Sequence, residues 1–147
     1  MAILGFNKIK QHVELVKALS GKVSISNNVS IKEVNEAKVT LGKEKQDVLR
    51  IVFEFSTNYA QSKEIINAFI KITGEVIFHD DSTKMKTYLK QWNKDKKLPR
   101  VVMEEVLNVI LTRSNIDALN ISQDFNLPPP IPLPKINVEK ESQSYIG

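Results

Sequence analysis

Cysteine is missing altogether, and with it disulfides, zinc–thiolate centres and thiol nucleophiles. Glycine is scarce, at five residues in 147, and none is spaced as a phosphate-cradling loop or a nucleophile elbow requires. Histidine occurs twice, as His12 and His79, at no spacing that suits a metal. The run "HDD" at 79–81 is a poor ligand set, because acidic residues at a helix entrance already serve its positive end. Glu104 and Glu105 are adjacent and so point about 100° apart on a helix, which rules them out as a facing acid–base pair. These absences argue for a protein that is not an enzyme and uses no cofactor or metal. No apolar run approaches the roughly 18–20 residues of a membrane span. Lysines interrupt "MAILGFNKIKQHVELVK" where a signal peptide stays apolar, so an unprocessed, cytoplasmic protein is expected.

What remains is ordinary globular material, 41% apolar and 26% charged, in a length that suits one domain. The middle of the chain alternates apolar and polar residues with period two. In "KVSISNNVSIKEV", Val23, Ile25, Val29 and Ile31 share a side that only Asn27 interrupts, and "NN" at 27–28 marks a bulge or a tight turn. "AKVTL" repeats the pattern, and "GKEKQD" from Gly42 reads as a connection. Leu49, Ile51, Phe53 and Phe55 then form one row, and Ile66, Ala68, Ile70, Ile72, Val76 and Phe78 another. Such rows predict antiparallel strands with one buried and one solvated face. Ile65, Phe69 and Ile77 break the polar side of the last strand, which suggests cover there too. Gly74 within it signals a bulge or a close backbone approach.

After His79 the period changes. Met85, Leu89 and Trp92 recur at helical spacing among lysines, and "HDDS" offers capping side chains. Pro99 suits the first turn of a second helix whose stripe is Val102, Met103, Val106, Val109, Ile110 and Arg113, with Ser114 ending it or capping a short turn. The first twenty residues fit a helix through Ile9, Val13, Val16 and Leu19, or a strand through Leu4 and Phe6; the strand is preferred. The expectation is an α+β fold: a four-stranded or slightly larger antiparallel sheet followed by two C-terminal helices, in one domain over 1–126. Residues 127–136, "LPPPIPLPKI", are expected to be a proline-rich strap in polyproline II form, packed down by Leu127, Ile131 and Leu133. Residues 137–147 are expected to form a flexible tail.

Two features point to partners. Residues 84–100 carry seven cations against one anion, so this segment is +6 and the rest of a +4 chain is −2. Its Lys90, Lys94, Lys96 and Lys97, with Trp92 and Tyr88 between them, suit RNA or a ribonucleoprotein, with lysines on phosphates and a ring on a base. The competing reading puts Trp92 in the core stripe and the lysines on a solvated face. The second feature is a sheet face carrying Phe53, Phe55, Ile70, Ile72 and Phe78, more apolar than two helices need for cover. The competing reading of each of these residues is plain core; an excess apolar face would suit oligomerisation or extended apolar peptides.

The order of elements resembles the SecB export-chaperone family. "DVLRIVFEFSTNY" is similar to a family strand ending in a turn, and "NAFIKITGEVIF" to its phenylalanine-containing strand with a glycine and an apolar pair. In "LPRVVMEEVLNVILTRSNIDALNISQDFNLP" the matching positions are Pro99, Glu105, Arg113, Leu119 with Asn120, and Phe125 with Asn126 in reversed order. The ending "NLPPPIPLPK" is similar to that of archaeal proteins beside this family, whereas the bacterial members lack it. The resemblance spans residues 22–127 and implies a four-stranded sheet, two helices and assembly as a dimer of dimers. It also implies ATP-independent holding of unfolded polypeptides. Their groove would be lined by Phe53, Phe55, Ile70, Ile72, Phe78, Trp92 and Leu98. The family's acidic surface, which docks a translocation motor, has no counterpart in this basic chain, so export is not implied.

Overall fold

The computed structural model describes residues 1–132. Four strands come first: β1 (Ala2–Leu15), β2 (Ser24–Leu41), β3 (Glu44–Ala60) and β4 (Ile66–His79). Two helices follow, α1 (Ser82–Asp95) and α2 (Arg100–Asp124). The strands make one antiparallel sheet in the order β1-β4-β3-β2. This is the α+β architecture that the alternating rows predict, and the N-terminal segment is a strand.

The β2–β3 hairpin is longer than expected. Its turn is only Gly42 and Lys43, and Glu44 already pairs with Leu41. Gly42 takes φ +67, a backbone conformation that glycine adopts without a Cβ clash. The polar run that follows it belongs to the ladder because residues far from the core satisfy their backbone by pairing whatever their side chains. Asn27 and Asn28 likewise make neither turn nor bulge; they pair with Thr57 and Ser56. The irregularity in β2 falls between Ile31 and Glu33, and β1 is irregular around Leu4 and Ile9.

Pairing puts the rows of β3 and β4 in register, with Leu49 opposite Phe78, Ile51 opposite Val76 and Phe55 opposite Ile72. Phe53 lies opposite Gly74, and its ring stacks on Phe6 with centroids 5.3 Å apart. A Cβ on Gly74 would sit 2.7 Å from both the Asn7 carbonyl oxygen and Phe53 Cζ. Of the two roles open to this glycine, close approach is the one observed: it makes the hollow that holds the Phe53 ring.

The helices cover this apolar face, α1 over β2 and β3, and α2 over β2, β3 and β4. The other face is polar, with Arg50 bonded to Glu75 and Asn7 donating to the same carboxylate at 3.3 Å. Phe69 and Ile77 lie on it half-buried, with no second layer over them among the described residues. Phe69 is flanked by the His12 ring edge at 4.9 Å and Lys71 Nζ at 5.3 Å, so neighbouring side chains shelter it.

α1 starts without a side-chain cap, contrary to the expectation for "HDDS". Asp80 instead accepts the Asp81 amide at 2.8 Å and the Tyr88 hydroxyl at 2.9 Å. That backbone bond, aided by Tyr88 and the nearby positive charges of Lys84 and the N-terminus, lowers the Asp80 carboxyl's pKa against the effect of burial. Met85 and Trp92 are buried from this helix, as its stripe predicts. Pro99 sits just ahead of α2 rather than within its first turn, and Glu104 pairs with Arg100 at 3.1 Å.

α2 does not end at Ser114 but continues to Asp124. Serine hydroxyls compete for the backbone and weaken isolated helices. Here the stripe of Val102, Val106 and Ile110 passes into Ser114, Ala118 and Ser122, and burial of these small side chains overrides that preference. The helix closes where Asn126 takes φ +54 and Leu127 donates to Ser122 O at 2.8 Å, turning Leu127 back into the core. Leu133, the rest of the strap and the tail 137–147 lie outside the described residues.

Candidate functional site

The structure brings the seven expected groove residues together, and it brings them together as core. Phe53, Phe55, Ile70, Ile72 and Phe78 are at most 1% exposed, and Trp92 and Leu98 are 5% exposed. All seven belong to one packed cluster with Val102, Val106 and Ile110 of α2. They touch one another and the helices, so a client could reach them only by lifting α1 or α2. Alternation locates a buried face; whether that burial is by the chain's own helices or by a guest is not encoded in the period.

Lys90, Lys94, Lys96 and Lys97 are all exposed on α1 and just beyond it. Lys96 takes φ +58, closes the helix by donating to Trp92 O at 2.8 Å, and holds its ammonium 5.6 Å from the Trp92 ring centroid. Trp92 is thereby capped from outside and buried from inside. Tyr88 is half-buried, with its hydroxyl committed to Asp80. The patch therefore presents cations without a free ring on which a base would stack. The His79 ring rests between the Gln46 side chain and Asp47 O. Among the described residues, no three acidic or histidine side chains gather as metal ligands would.

The accessible apolar surface lies elsewhere. Among the described residues β1 is an edge strand, paired on one side only with β4, and carries Leu4, Ile9 and Leu15 at 41–51% exposure, with Val16 following. Beside it, a cleft of about 300 Å³ opens between β1 and α2, lined by Phe6, Lys8, Arg113, Ile116, Asp117 and Asn120. Arg113 lies 5.1 Å from the Phe6 ring centroid, and Lys8 pairs with Asp117 at 2.9 Å across the cleft. Leu111 and Ile116 face outward from α2. An edge ladder beside greasy side chains and a half-polar cleft is the equipment for pairing with an extended chain.

A second constellation sits at the other end of the covered face, where the proline-rich segment crosses it. Tyr59, fully buried, donates its hydroxyl to Pro128 O at 2.6 Å. Asn27 donates its side-chain amide to Pro130 O at 3.0 Å, and Thr57 donates to Asn27 Oδ1 at 2.6 Å. Leu127 and Pro130 are buried. Burial pushes the Tyr59 phenol up to about 12, which keeps it a donor through the whole neutral range. Reading the residues in order missed this group, although a signal was present. Asn27, itself exposed, interrupts an apolar row of β2, and the buried Thr57 and Tyr59 extend one of β3; such interruptions mark polar work at the rim of a core.

No helix among the described residues is long and apolar enough to cross a membrane. No protein-family model matches the chain, and no curated protein matches it significantly. Among solved structures, the chain is similar to the Mycobacterium tuberculosis SecB-like chaperone Rv1957 in complex with a ChAD peptide from the Rv1956 HigA1 antitoxin. The TM-score is 0.54 at 10% sequence identity, over 92% of this chain and 89% of that one. At that identity the likeness is one of architecture: the chain has a SecB-like fold, a four-stranded antiparallel sheet followed by two helices.

Proposed function

We propose that this protein is a non-catalytic chaperone of the holdase type, which binds non-native polypeptides and works as a homo-oligomer, a dimer or tetramer. The observation that carries the reading is the fold shared with a chaperone whose solved complex contains a peptide of a partner protein. The exposed β1 edge and the neighbouring apolar positions on α2 add a surface suited to extended chain. Main-chain pairing along β1 tolerates many sequences, and Leu4, Ile9, Leu111 and Ile116 supply apolar contact. Phe53, Phe55, Ile70, Ile72, Phe78, Trp92 and Leu98 serve as the rigid layer beneath that surface rather than as its contacts.

The test is light scattering of a chemically denatured client diluted into the full-length protein without nucleotide, with solution mass measured in parallel. Suppressed aggregation by an oligomer supports the reading; a monomer that leaves aggregation unchanged overturns it. Ile9→Ser with Ile116→Ser, at sites 51% and 57% exposed, should leave the fold intact and weaken the suppression.

One observation favours a second reading, RNA or ribonucleoprotein binding by the 84–100 segment. Lys90, Lys94, Lys96 and Lys97 are all exposed, and none forms an ion pair among the described residues. A steep fall of RNA affinity with salt, abolished when these four become glutamine, would establish it; a flat response removes it.

A further inference from the structure

Burying an extended segment on the face of a sheet raises a difficulty that burying a helix does not. The sheet spends its own backbone groups on its ladders, and an extended segment has no internal hydrogen bonds with which to satisfy itself. Each ordinary residue would bring one donor and one acceptor into the contact, and an unmet one costs free energy comparable to a lost hydrogen bond. Proline brings only an acceptor. In Pro128–Pro129–Pro130 the donors are already gone, and two of the three carbonyls meet side-chain donors, Tyr59 Oη at 2.6 Å and Asn27 Nδ2 at 3.0 Å.

The sheet side of the contact is matched to that chemistry. Both groups turned to the segment act as donors. The acceptor half of the Asn27 amide is engaged by Thr57 at 2.6 Å, which also fixes which way the amide points. Tyr59 and Thr57 are fully buried with the segment in place, and Thr57 is bonded to Asn27 within the sheet itself. The donors serve carbonyls two residues apart, on neighbouring strands, since Ile25 pairs with Tyr59 and Asn27 with Thr57. A segment of ordinary residues laid on the same site would bury amide N–H groups facing donors.

We propose that Asn27, Thr57 and Tyr59 form a binding site for extended proline-rich polypeptide, which the chain's own residues 128–130 occupy as a resident, displaceable ligand. The segment is tethered at one end by the close of α2 at Leu127, which gives it an effective concentration on the order of millimolar over any competitor. In the intact chain the site is therefore filled, and it becomes available to a proline-rich segment of another polypeptide when the tethered copy is loosened. This inference stands on the hydrogen bonds and not on the chaperone reading, so the aggregation assay and the test below fail independently.

The probe is a fluorescein-labelled peptide with the sequence of residues 126–132, Asn-Leu-Pro-Pro-Pro-Ile-Pro, titrated by anisotropy against full-length protein. Leu127→Ser with Pro130→Ser loosens the tethered copy and should tighten peptide binding at least tenfold over the unsubstituted chain. Adding Asn27→Asp, which turns a donor into an acceptor, should weaken that binding at least tenfold, and Tyr59→Phe at least threefold. A peptide with alanine in place of the three central prolines should bind at least tenfold more weakly. Should the loosened variant not fold, the unsubstituted chain answers instead: millimolar peptide must shift the NMR resonance of the tethered Ile131 amide, which leaves the site, and keep that of Lys94 in place. Equal binding of the proline and alanine peptides, binding indifferent to Asn27→Asp, or no shift at Ile131 overturns the proposal.

Discussion

Over Phe53, Phe55 and Ile72 the covered face of the sheet is wholly apolar, and helices close it. Over Thr57 and Tyr59, farther along the same strand, the cover is proline-rich chain and the face turns polar. The two regions share a strand and a degree of burial, and they differ in what covers them. A helix meets its own backbone hydrogen bonds, so its partner surface needs only shape and apolar area. An extended segment does not, so its partner surface must supply directional groups. One region should therefore answer to volume, and the other to individual hydrogen bonds.

The largest effect is expected in the helix-covered region. Phe53→Ala removes a fully buried ring that stacks on Phe6 and fills the hollow over Gly74. Unfolding by denaturant should show a loss of about 3–5 kcal/mol, the usual range for such a cavity. A loss below about 1 kcal/mol would mean that this region is loosely packed, and the contrast with the strap would fail. Gly74→Ala attacks the same contact from the other side. Its Cβ would meet a backbone oxygen of β1 as well as the Phe53 ring, and the backbone oxygen has no rotamer to escape into. A loss of about 1–3 kcal/mol is expected. Combining it with Phe53→Ala should cost less than the sum, because the smaller residue frees half of the clash.

How far the sequence revealed each region follows the same division. The rows Leu49–Phe55 and Ala68–Phe78 are legible because side-chain direction in a strand is local arithmetic, and the order of strands and helices is legible with them. The residues of this face come out grouped, while the sequence leaves their access to solvent open, because a groove floor and a packed core have the same period. Ser114 illustrates a different failure: its local preference says helix end, and only the packing of α2 against the sheet reverses it. The strap site was hidden because it depends on register. Asn27 matters only opposite Thr57, and no local pattern says that these two residues meet.

In the strap region, Tyr59→Phe keeps the ring and deletes the bond to Pro128 O, leaving that carbonyl without its donor. A loss of about 1–2 kcal/mol is expected. pH sharpens the assignment. The folded-state phenol is raised by desolvation to about 12 from an ordinary 10.0. Its contribution is therefore fully present below pH 10 and is lost as pH rises from there through about 12, because only the unfolded chain releases the proton early. Tyr88, raised first by desolvation and then by its bond to Asp80, acts in the same direction. The informative quantity is the difference: Tyr59→Phe should lose less stability than the unsubstituted chain between pH 9 and pH 11. Parallel alkaline curves would show that Tyr59 is not held as a buried donor.

The smallest effect separates positioning from contact. Thr57 makes no hydrogen bond to the described part of the strap; its hydroxyl holds the Asn27 amide in the orientation that presents Nδ2 to Pro130 O. Thr57→Val preserves the shape and removes that hold, so the chain should lose about 1 kcal/mol, part of it from the Thr57 bond itself and part from a strap less well met. If orientation is the role, the loss should largely vanish in an Asn27→Ala background, where no amide remains to orient, and a double-mutant cycle reads that coupling directly. The amide of Leu127, which donates to Ser122 O where the strap begins, should exchange faster with deuterium in Thr57→Val while amides of β4 keep their protection. Additive losses with unchanged exchange at Leu127 would make Thr57 a plain core residue. The two regions would then be closed by the same means after all.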